Sequence, residues 1–300
     1  MYTAEELFQR VCNGETLDAE QREMLRRELV FAGPFTMSVV GSDKIVDKLR
    51  ESTIPLHIQY YPETYSENAA DCVRKLEREC PDIICFDCDD DIAYRCFELM
   101  PSDMLRRSVV LTLSGQHRPD MLRRFWSEDI DAIMLSGEWI LWEIIRKLKD
   151  MLIYKRCCSL KGSAFDYRDC TAVYTDSCKT NLLIVDKILK SQLKIDIVAL
   201  STNAEVLEYI SRNRDILLMT DILRENPGGL KFMQKLHEYD KAIPFMFISA
   251  CIMYKAEAYR IGASEFIGKP MLMEYMVPKI RFQLRLQQCM SVYRRIMGVE

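Results

Sequence analysis

Residues 215–221 read DILLMTD, an apolar run that closes on an acid. Two similar runs follow, PFMFISA at 244–250 and ASEFIGKP at 263–270, and they bring Ser249 and Lys269 to corresponding ends. Short apolar runs bounded in this way are the pattern of strands buried on both faces of a sheet. The stretches between and after them, Leu230–Tyr239 and Tyr254–Ile261, have helical spacing instead. Strand and helix alternate, and repeated β-α units imply a parallel sheet with helices on both faces.

Working outward, strand Thr171–Thr175 ends before Asp176 and is followed by helix Lys179–Lys190, strand Ile195–Leu200 and helix Asn203–Asn213. Leu182–Lys187 (LLIVDK) also looks like a strand ending in an acid. Placing the strand there would leave too few residues for a crossover helix, so this run is read as helix. A strand at Glu265–Ile267 and a last helix from about Met273 to Met297 complete the series.

The same order stands earlier in the chain. Strands at Phe35–Val40, Leu56–Gln59, Asp82–Phe86, Ser108–Leu113 and Ala132–Leu135 alternate with helices at Asp43–Arg50, Asn68–Cys80, Ala93–Leu99, Pro119–Trp126 and Trp139–Tyr154. Asp87 and Asp221 lie 134 residues apart, and the spacing from each to the following Ser114 or Ser249 is 27 or 28 residues. A repeat of this length is a duplicated domain. Before it, residues 1–34 read as two helices, Thr3–Val11 and Asp18–Val30, the second opened by a D-x-x-Q capping box and ended by Gly33-Pro34. The expected organisation is a helical segment 1–34, a domain 35–154, a linker 155–169 and a domain 170–300.

Composition narrows the function. The 300 residues are 49% hydrophobic and 29% charged, ordinary for globular domains, and the net charge of −4 gives no reason to expect a nucleic-acid partner. No apolar run reaches the length of a membrane span, and the N-terminus lacks a signal core, so a cytoplasmic protein is expected. The twelve cysteines then read as reduced thiols. There are three histidines, far apart, and neither GxGxxG nor GxxxxGK[ST] occurs, which argues against histidine-metal chemistry, dinucleotide binding and P-loop nucleotide binding.

In open parallel sheets, sites form beyond the carboxyl ends of the strands. In the second repeat those ends carry Asp176, Asp221, Ser249 and Lys269: two carboxylates, a hydroxyl and an ammonium on one rim. The blocks DILLMTD, PFMFISA and ASEFIGKP resemble the receiver domain of two-component response regulators, over about residues 170–297. The resemblance implies a flavodoxin-like fold with five parallel strands in the order 2-1-3-4-5. It implies Asp221 as phosphoacceptor, Ser249 and Lys269 as phosphoryl contacts, and Phe266 as an aromatic switch. It also implies Mg²⁺ held through Asp176 and Asp221, and a histidine kinase or phosphotransfer protein as donor. The roles are chemically consistent. A carboxylate can attack a phosphoryl donor, Mg²⁺ takes hard oxygen ligands, and a lysine can neutralise the product as a point charge.

Departures from the family pattern matter as much. The usual acidic pair after strand one is here Asp176-Ser177, so one metal carboxylate is lost. The loop after the acceptor is LRENPGG, with the proline displaced to Pro227 and Gly228 where an acid is common. In the first repeat Asp87 and Ser114 remain, but Gly41-Ser42 replace the acids and Ser136-Gly137 replace the Lys-Pro pair. That domain resembles a pseudo-receiver, kept for docking or dimerisation. The run Asp89-Asp90-Asp91 reads as a solvated acidic loop.

The remaining signals are smaller. Cys85-x-x-Cys88 has redox spacing, but strand alternation points the thiols apart. Cys157, Cys158, Cys170 and Cys178 fit metal-ligand spacing poorly. The Arg-Arg pairs at 26–27, 106–107, 123–124 and 294–295 read as solvated faces. In the last helix, Phe282, Leu286, Cys289, Tyr293 and Ile296 form a 4-3-4-3 stripe. It suits either packing on the chain's own sheet or, as in a homodimer, a second copy. The expectation is a two-component signalling protein rather than an enzyme, with a phosphorylation-independent scaffold as the alternative. A flavodoxin-like cofactor binder is disfavoured by the missing phosphate-cradling glycines. No output domain is recognisable.

Overall fold

The computed structural model describes residues 2–29, 34–41, 45–50, 54, 56–61, 68–115, 118–136, 141–213, 215–222, 228–239 and 243–298. It divides into two compact units, Val30–Arg156, and Met1–Leu29 together with Cys157–Glu300.

The first unit contains strands β1 (Phe35–Val40), β2 (Leu56–Tyr61), β3 (Ile83–Asp87), β4 (Val109–Ser114) and β5 (Ala132–Ser136). They form one parallel sheet in the order β2-β1-β3-β4-β5. Strands β3 and β4 are buried along their whole length, as a sheet covered on both faces requires. Edge-on contacts among Phe86, Phe97 and Phe125, with ring centroids 5.7 and 5.3 Å apart, fill the layer between sheet and helices.

The second unit repeats the plan. Strands β6 (Thr171–Thr175), β7 (Ile197–Leu200), β8 (Ile216–Thr220), β9 (Phe245–Ser249) and β10 (Glu265–Gly268) pair in the order β7-β6-β8-β9-β10, all parallel. This is the expected 2-1-3-4-5 order, present twice: the chain is an α/β protein with two flavodoxin-like sheets. LLIVDK lies inside the helix Lys179–Gln192, the register that crossover length demanded.

Helices occupy most of the expected positions. In chain order they are α1 (Ala4–Cys12), α2 (Ala19–Leu29), α3 (Val46–Arg50), α4 (Ala69–Glu79), α5 (Asp91–Leu99), α6 (Ser102–Arg107), α7 (Pro119–Ser127), α8 (Leu141–Lys161), α9 (Lys179–Gln192), α10 (Asn203–Arg212), α11 (Gly229–Tyr239), α12 (Lys255–Arg260) and α13 (Met273–Met297). The Asp18–Gln21 capping box forms, with the Gln21 N–H donating to Asp18 Oδ1 at 2.8 Å and the Asp18 N–H to Gln21 Oε1 at 3.4 Å. Each such cap contributes about 1 kcal/mol.

Several expectations need correction. The linker 155–169 is partly helix, because α8 runs on to Lys161 and buries Cys157 and Leu160. The apolar spacing there is carried by a cysteine and a leucine among lysines, which hid it. Helix α6 was not anticipated. The expected starts at Asp43 and Trp139, and the end at Val30, fall outside the described residues, as do Ser42, Gly137 and Pro227.

The helical N-terminal segment, Met1–Leu29, belongs to the second compact unit. Helices α1 and α2 pack against α13, and Phe8, Leu25 and Leu29 are fully buried. The Arg26 guanidinium donates to the carbonyls of Ile296 (3.1 Å) and Met297 (2.8 Å), closing the C-terminus of α13. The stripe on α13 is correspondingly covered: Phe282, Leu286, Cys289 and Ile296 are buried within the chain. Of the two covers that the stripe suits, its own chain or a second copy, its own chain supplies one. Nor are all the arginine pairs solvated faces. Arg106 bonds the Glu128 carbonyl, and Arg124 bonds the carbonyls of Phe97, Glu98 and Met100. Among the described residues, no helix is long and apolar enough to cross a membrane.

Candidate functional site

The carboxyl ends of β6, β8, β9 and β10 bring Asp176, Asp221, Ser249 and Lys269 together as the sequence predicts. Asp221 follows β8 and leaves 9% of its surface exposed. Its Oδ1 accepts a hydrogen bond from Ser249 Oγ at 2.7 Å, and its Oδ2 is ion-paired with Lys269 Nζ. Ser249 is fully buried, and the Cys251 N–H donates to its Oγ at 3.3 Å. The Lys269 N–H is tied to the Ser249 carbonyl at 3.0 Å, and the peptide before Pro270 is cis.

Asp176 is buried beside this pair. Its Oδ2 accepts from Lys269 Nζ (2.8 Å), Tyr174 Oη (2.7 Å) and Asn181 Nδ2 (2.9 Å), and its Oδ1 from the Cys178 N–H (2.8 Å). The ammonium thus bridges two carboxylates. Burial raises the Asp176 carboxyl, but the bonds from Lys269, the Cys178 N–H, Tyr174 and Asn181 outweigh it and hold its pKa below the ordinary value. Burial lowers the Lys269 ammonium, and the bonds to Asp176 and Asp221 more than reverse this, so its pKa is raised. Tyr174 is pushed well up, first by burial and then by its bond to the anionic Asp176.

Tyr174 and Asn181 were not singled out in the sequence. Tyr174 stands in a strand and Asn181 in the first turn of α9, and only the close approach of both to one carboxylate makes them part of the site. Gly229 was also missed as a site residue. A Cβ built on it would overlap the Asp221 carbonyl oxygen, so the start of α11 can approach Asp221 this closely only at a glycine. Its N–H donates to the Ile222 carbonyl at 2.9 Å. Phe266 lies in β10 opposite Phe247, with its side chain buried. Beside it, Glu265 is buried and accepts from Tyr259 Oη (2.9 Å), Lys279 Nζ (3.0 Å) and the Phe266 N–H (2.9 Å). Lys279 of α13 is thus an internal ion-pair partner.

These residues are a poor seat for Mg²⁺. The ion needs carboxylate oxygens free for near-octahedral ligation. Asp176 presents both oxygens to protein donors, Ser177 is exposed and carries no carboxylate, and Lys269 lies against both acids. No group of three or more His, Cys, Asp or Glu among the described residues is placed to hold a metal ion.

The corresponding ends in the first unit are arranged differently. Asp87 is buried, but the Ser114 hydroxyl is turned to Asp89 Oδ1 (3.2 Å), whose Oδ2 takes the Gly115 N–H (2.6 Å). The Asp89 N–H donates to Asp87 Oδ1 at 3.2 Å. Asp90 caps α5 through the Ala93 N–H at 2.7 Å. The acidic run therefore holds the loop together. Gly41 explains the missing acidic pair: its φ is +100°, and a Cβ there would stand 3.0 Å from the Cβ atoms of Asp87 and Ala93. Cys85 and Cys88 are buried, and burial pushes the Cys88 thiol up to about 12. Burial likewise raises Cys85 well above its ordinary value, so neither is a ready thiolate.

Solved receiver domains are similar to parts of this chain. A CheY-like response regulator receiver domain protein from Methanospirillum hungatei matches at 19% identity and TM-score 0.35, over 40% of this chain and 96% of that one. A putative response regulator from Chloroflexus aurantiacus matches at 19% identity and TM-score 0.36, over 38% and 96%. The response regulatory domain of protein mrkE from Klebsiella pneumoniae matches at 17% identity and TM-score 0.35, over 39% and 97%. No family model and no curated protein matches the sequence.

Chemically, the second unit holds a buried carboxylate with a hydroxyl on one oxygen and an ammonium on the other. Such an arrangement suits a nucleophile whose product gains negative charge. Exposed apolar side chains follow the same strand ends: Ile252 and Met253 in a 3-10 turn after β9, and Leu272 after β10.

Proposed function

We propose that the chain is a two-component-type signalling protein whose second domain accepts a phosphoryl group on Asp221. The observation that carries this reading is the pairing of Asp221 with Ser249 Oγ and Lys269 Nζ on its two oxygens. In the step proposed, an Asp221 oxygen attacks the phosphorus of a phosphohistidine on a histidine kinase or phosphotransfer protein. The O–P bond forms as the N–P bond breaks, and the imidazole leaves with the electron pair and takes up a proton. The added charge lies beside the Lys269 ammonium, and the Ser249 hydroxyl is free to follow the new oxygens. Release of the Ser249–Asp221 bond would then bias β9, and Phe266 on neighbouring β10, towards a second packing. Ile252, Met253 and Leu272 supply apolar surface for the donor.

On this reading the first domain is a pseudo-receiver used for docking, supported by Gly41 packed against Asp87 and by Ser114 turned to Asp89. The chain receives a phosphoryl group rather than turning over a substrate, and works in the reducing cytoplasm that its twelve free thiols suit. Incubation with a small acyl-phosphate or phosphoramidate donor tests the reading by intact mass. One phosphoryl is expected on the wild-type chain and none on Asp221→Asn; an unmodified wild-type chain rejects it. The donor-filled Asp176 and Ser177 favour a second reading, a scaffold that is never phosphorylated, and an unmodified chain would support that one.

A further inference from the structure

We infer that the acidic pocket of the second domain works without a resident divalent cation, because the Lys269 ammonium is built in as its cation. This deepens the proposed function and rests on it for the identity of the acceptor.

The oxygens of Asp176 are heavily used by protein donors. A carboxylate offers about four lone-pair sites. Asp176 receives four donors: Lys269, Tyr174 and Asn181 on Oδ2, and the Cys178 N–H on Oδ1. Oδ2 thus carries more donors than it has lone pairs, and a metal ion ligated at it must displace at least one of them. Tyr174 is fully buried, and its displaced hydroxyl would be left without its acceptor, which is costly in a dry interior. The other obstacle is charge. Lys269 Nζ is in ion-pair contact with both Asp176 and Asp221, so an ion between the two acids would meet a cation at contact distance. The chain also lacks the acid that would tip this balance, because residue 177 is a serine. Tyr174 and Asn181 are positioning residues here: they aim Asp176 at the ammonium.

The consequence is that removing the ammonium should create a metal site. In Lys269→Ala, two carboxylates lose the cation they share, and a divalent ion can replace it. The test uses the full chain, Mn²⁺ binding followed by electron paramagnetic resonance, and thermal unfolding in millimolar Mg²⁺. The wild-type chain is expected to bind no Mn²⁺ in this pocket and to keep its Tm. Lys269→Ala is expected to bind Mn²⁺ and to gain a few degrees in Tm with Mg²⁺, by ordinary linkage. Wild-type Mn²⁺ binding that Asp221→Asn abolishes would overturn the inference, as would a Lys269→Ala chain that Mg²⁺ does not stabilise. The wild-type measurement stands even if the variant folds poorly. Failure of the phosphoryl gain would remove the proposed function and leave the Mn²⁺ result unchanged, so the two can fail separately.

Discussion

A buried carboxylate that accepts four hydrogen bonds has little freedom left, and Asp176 is in that state. Its pKa is held below the ordinary 3.8 because its donors outweigh the opposing effect of burial. A depressed folded value means that its stabilisation is present above about pH 4 and lost as pH falls through the folded value. Denaturant titrations across the acid range should therefore show falling stability below that point, and a shallower fall in Asp176→Asn. Lys269 has the opposite sign. Its folded pKa lies above the ordinary 10.5, so its contribution is complete below that pH and is lost as pH rises through the folded value. At the same scale, Tyr174→Phe removes one buried bond to a charged acceptor. A loss of about 1.5–3 kcal/mol is expected, read as a lower midpoint in urea with an unchanged slope.

Among the elements, α13 is held at both ends by polar contacts that its amphipathic pattern does not announce. Near its start, Lys279 pairs with buried Glu265 of β10 at 3.0 Å. Lys279→Ala leaves that carboxylate without its ammonium and should cost about 3–5 kcal/mol, the usual penalty for breaking one side of a buried pair. At its end, Arg26 of α2 holds the last two carbonyls. Arg26→Ala should fray that turn, seen as faster amide exchange at residues 294–297 with little change in the sheet. Helix α11 begins hard against Asp221, since a Cβ on Gly229 would overlap the Asp221 carbonyl oxygen. Gly229→Ala should push the start of α11 away from Asp221 and lower stability, with chemical-shift changes centred on Asp221 and Ile222.

For the molecule as a whole, the second compact unit is assembled from both ends of the chain, Met1–Leu29 with Cys157–Glu300. Deleting residues 1–29 uncovers the face of α13 that α1 and α2 cover and removes the Arg26 bonds to the Ile296 and Met297 carbonyls. The truncated chain is expected to self-associate, measured as a mass increase by size-exclusion chromatography with light scattering. It should also lose stability in the second unit before the first.

Periodicity alone determined the two α/β sheets, their parallel sense and the rim on which Asp176, Asp221, Ser249 and Lys269 meet. Strand ends in a doubly wound sheet converge by topology, so four residues in four separate runs could be placed together without coordinates. The 2-1-3-4-5 order came from the resemblance, which the pairing of β7-β6-β8-β9-β10 and its counterpart match. Some local pieces stayed hidden because their spacing was disguised, as with α6 and the last turns of α8. What the tertiary structure decided depends on contacts between residues far apart in the chain. Tyr174 and Asn181 belong to the site only because Asp176 lies within hydrogen-bond reach of both. Gly41 forbids an acidic pair only because Asp87 and Ala93 crowd it. The stripe on α13 could have met its own chain or another, since a heptad pattern states that a face must be covered and leaves the cover unnamed. Helices α1 and α2 pack against that helix, and burial of Phe8, Leu25 and Leu29 in the same act is the physical reason they stay.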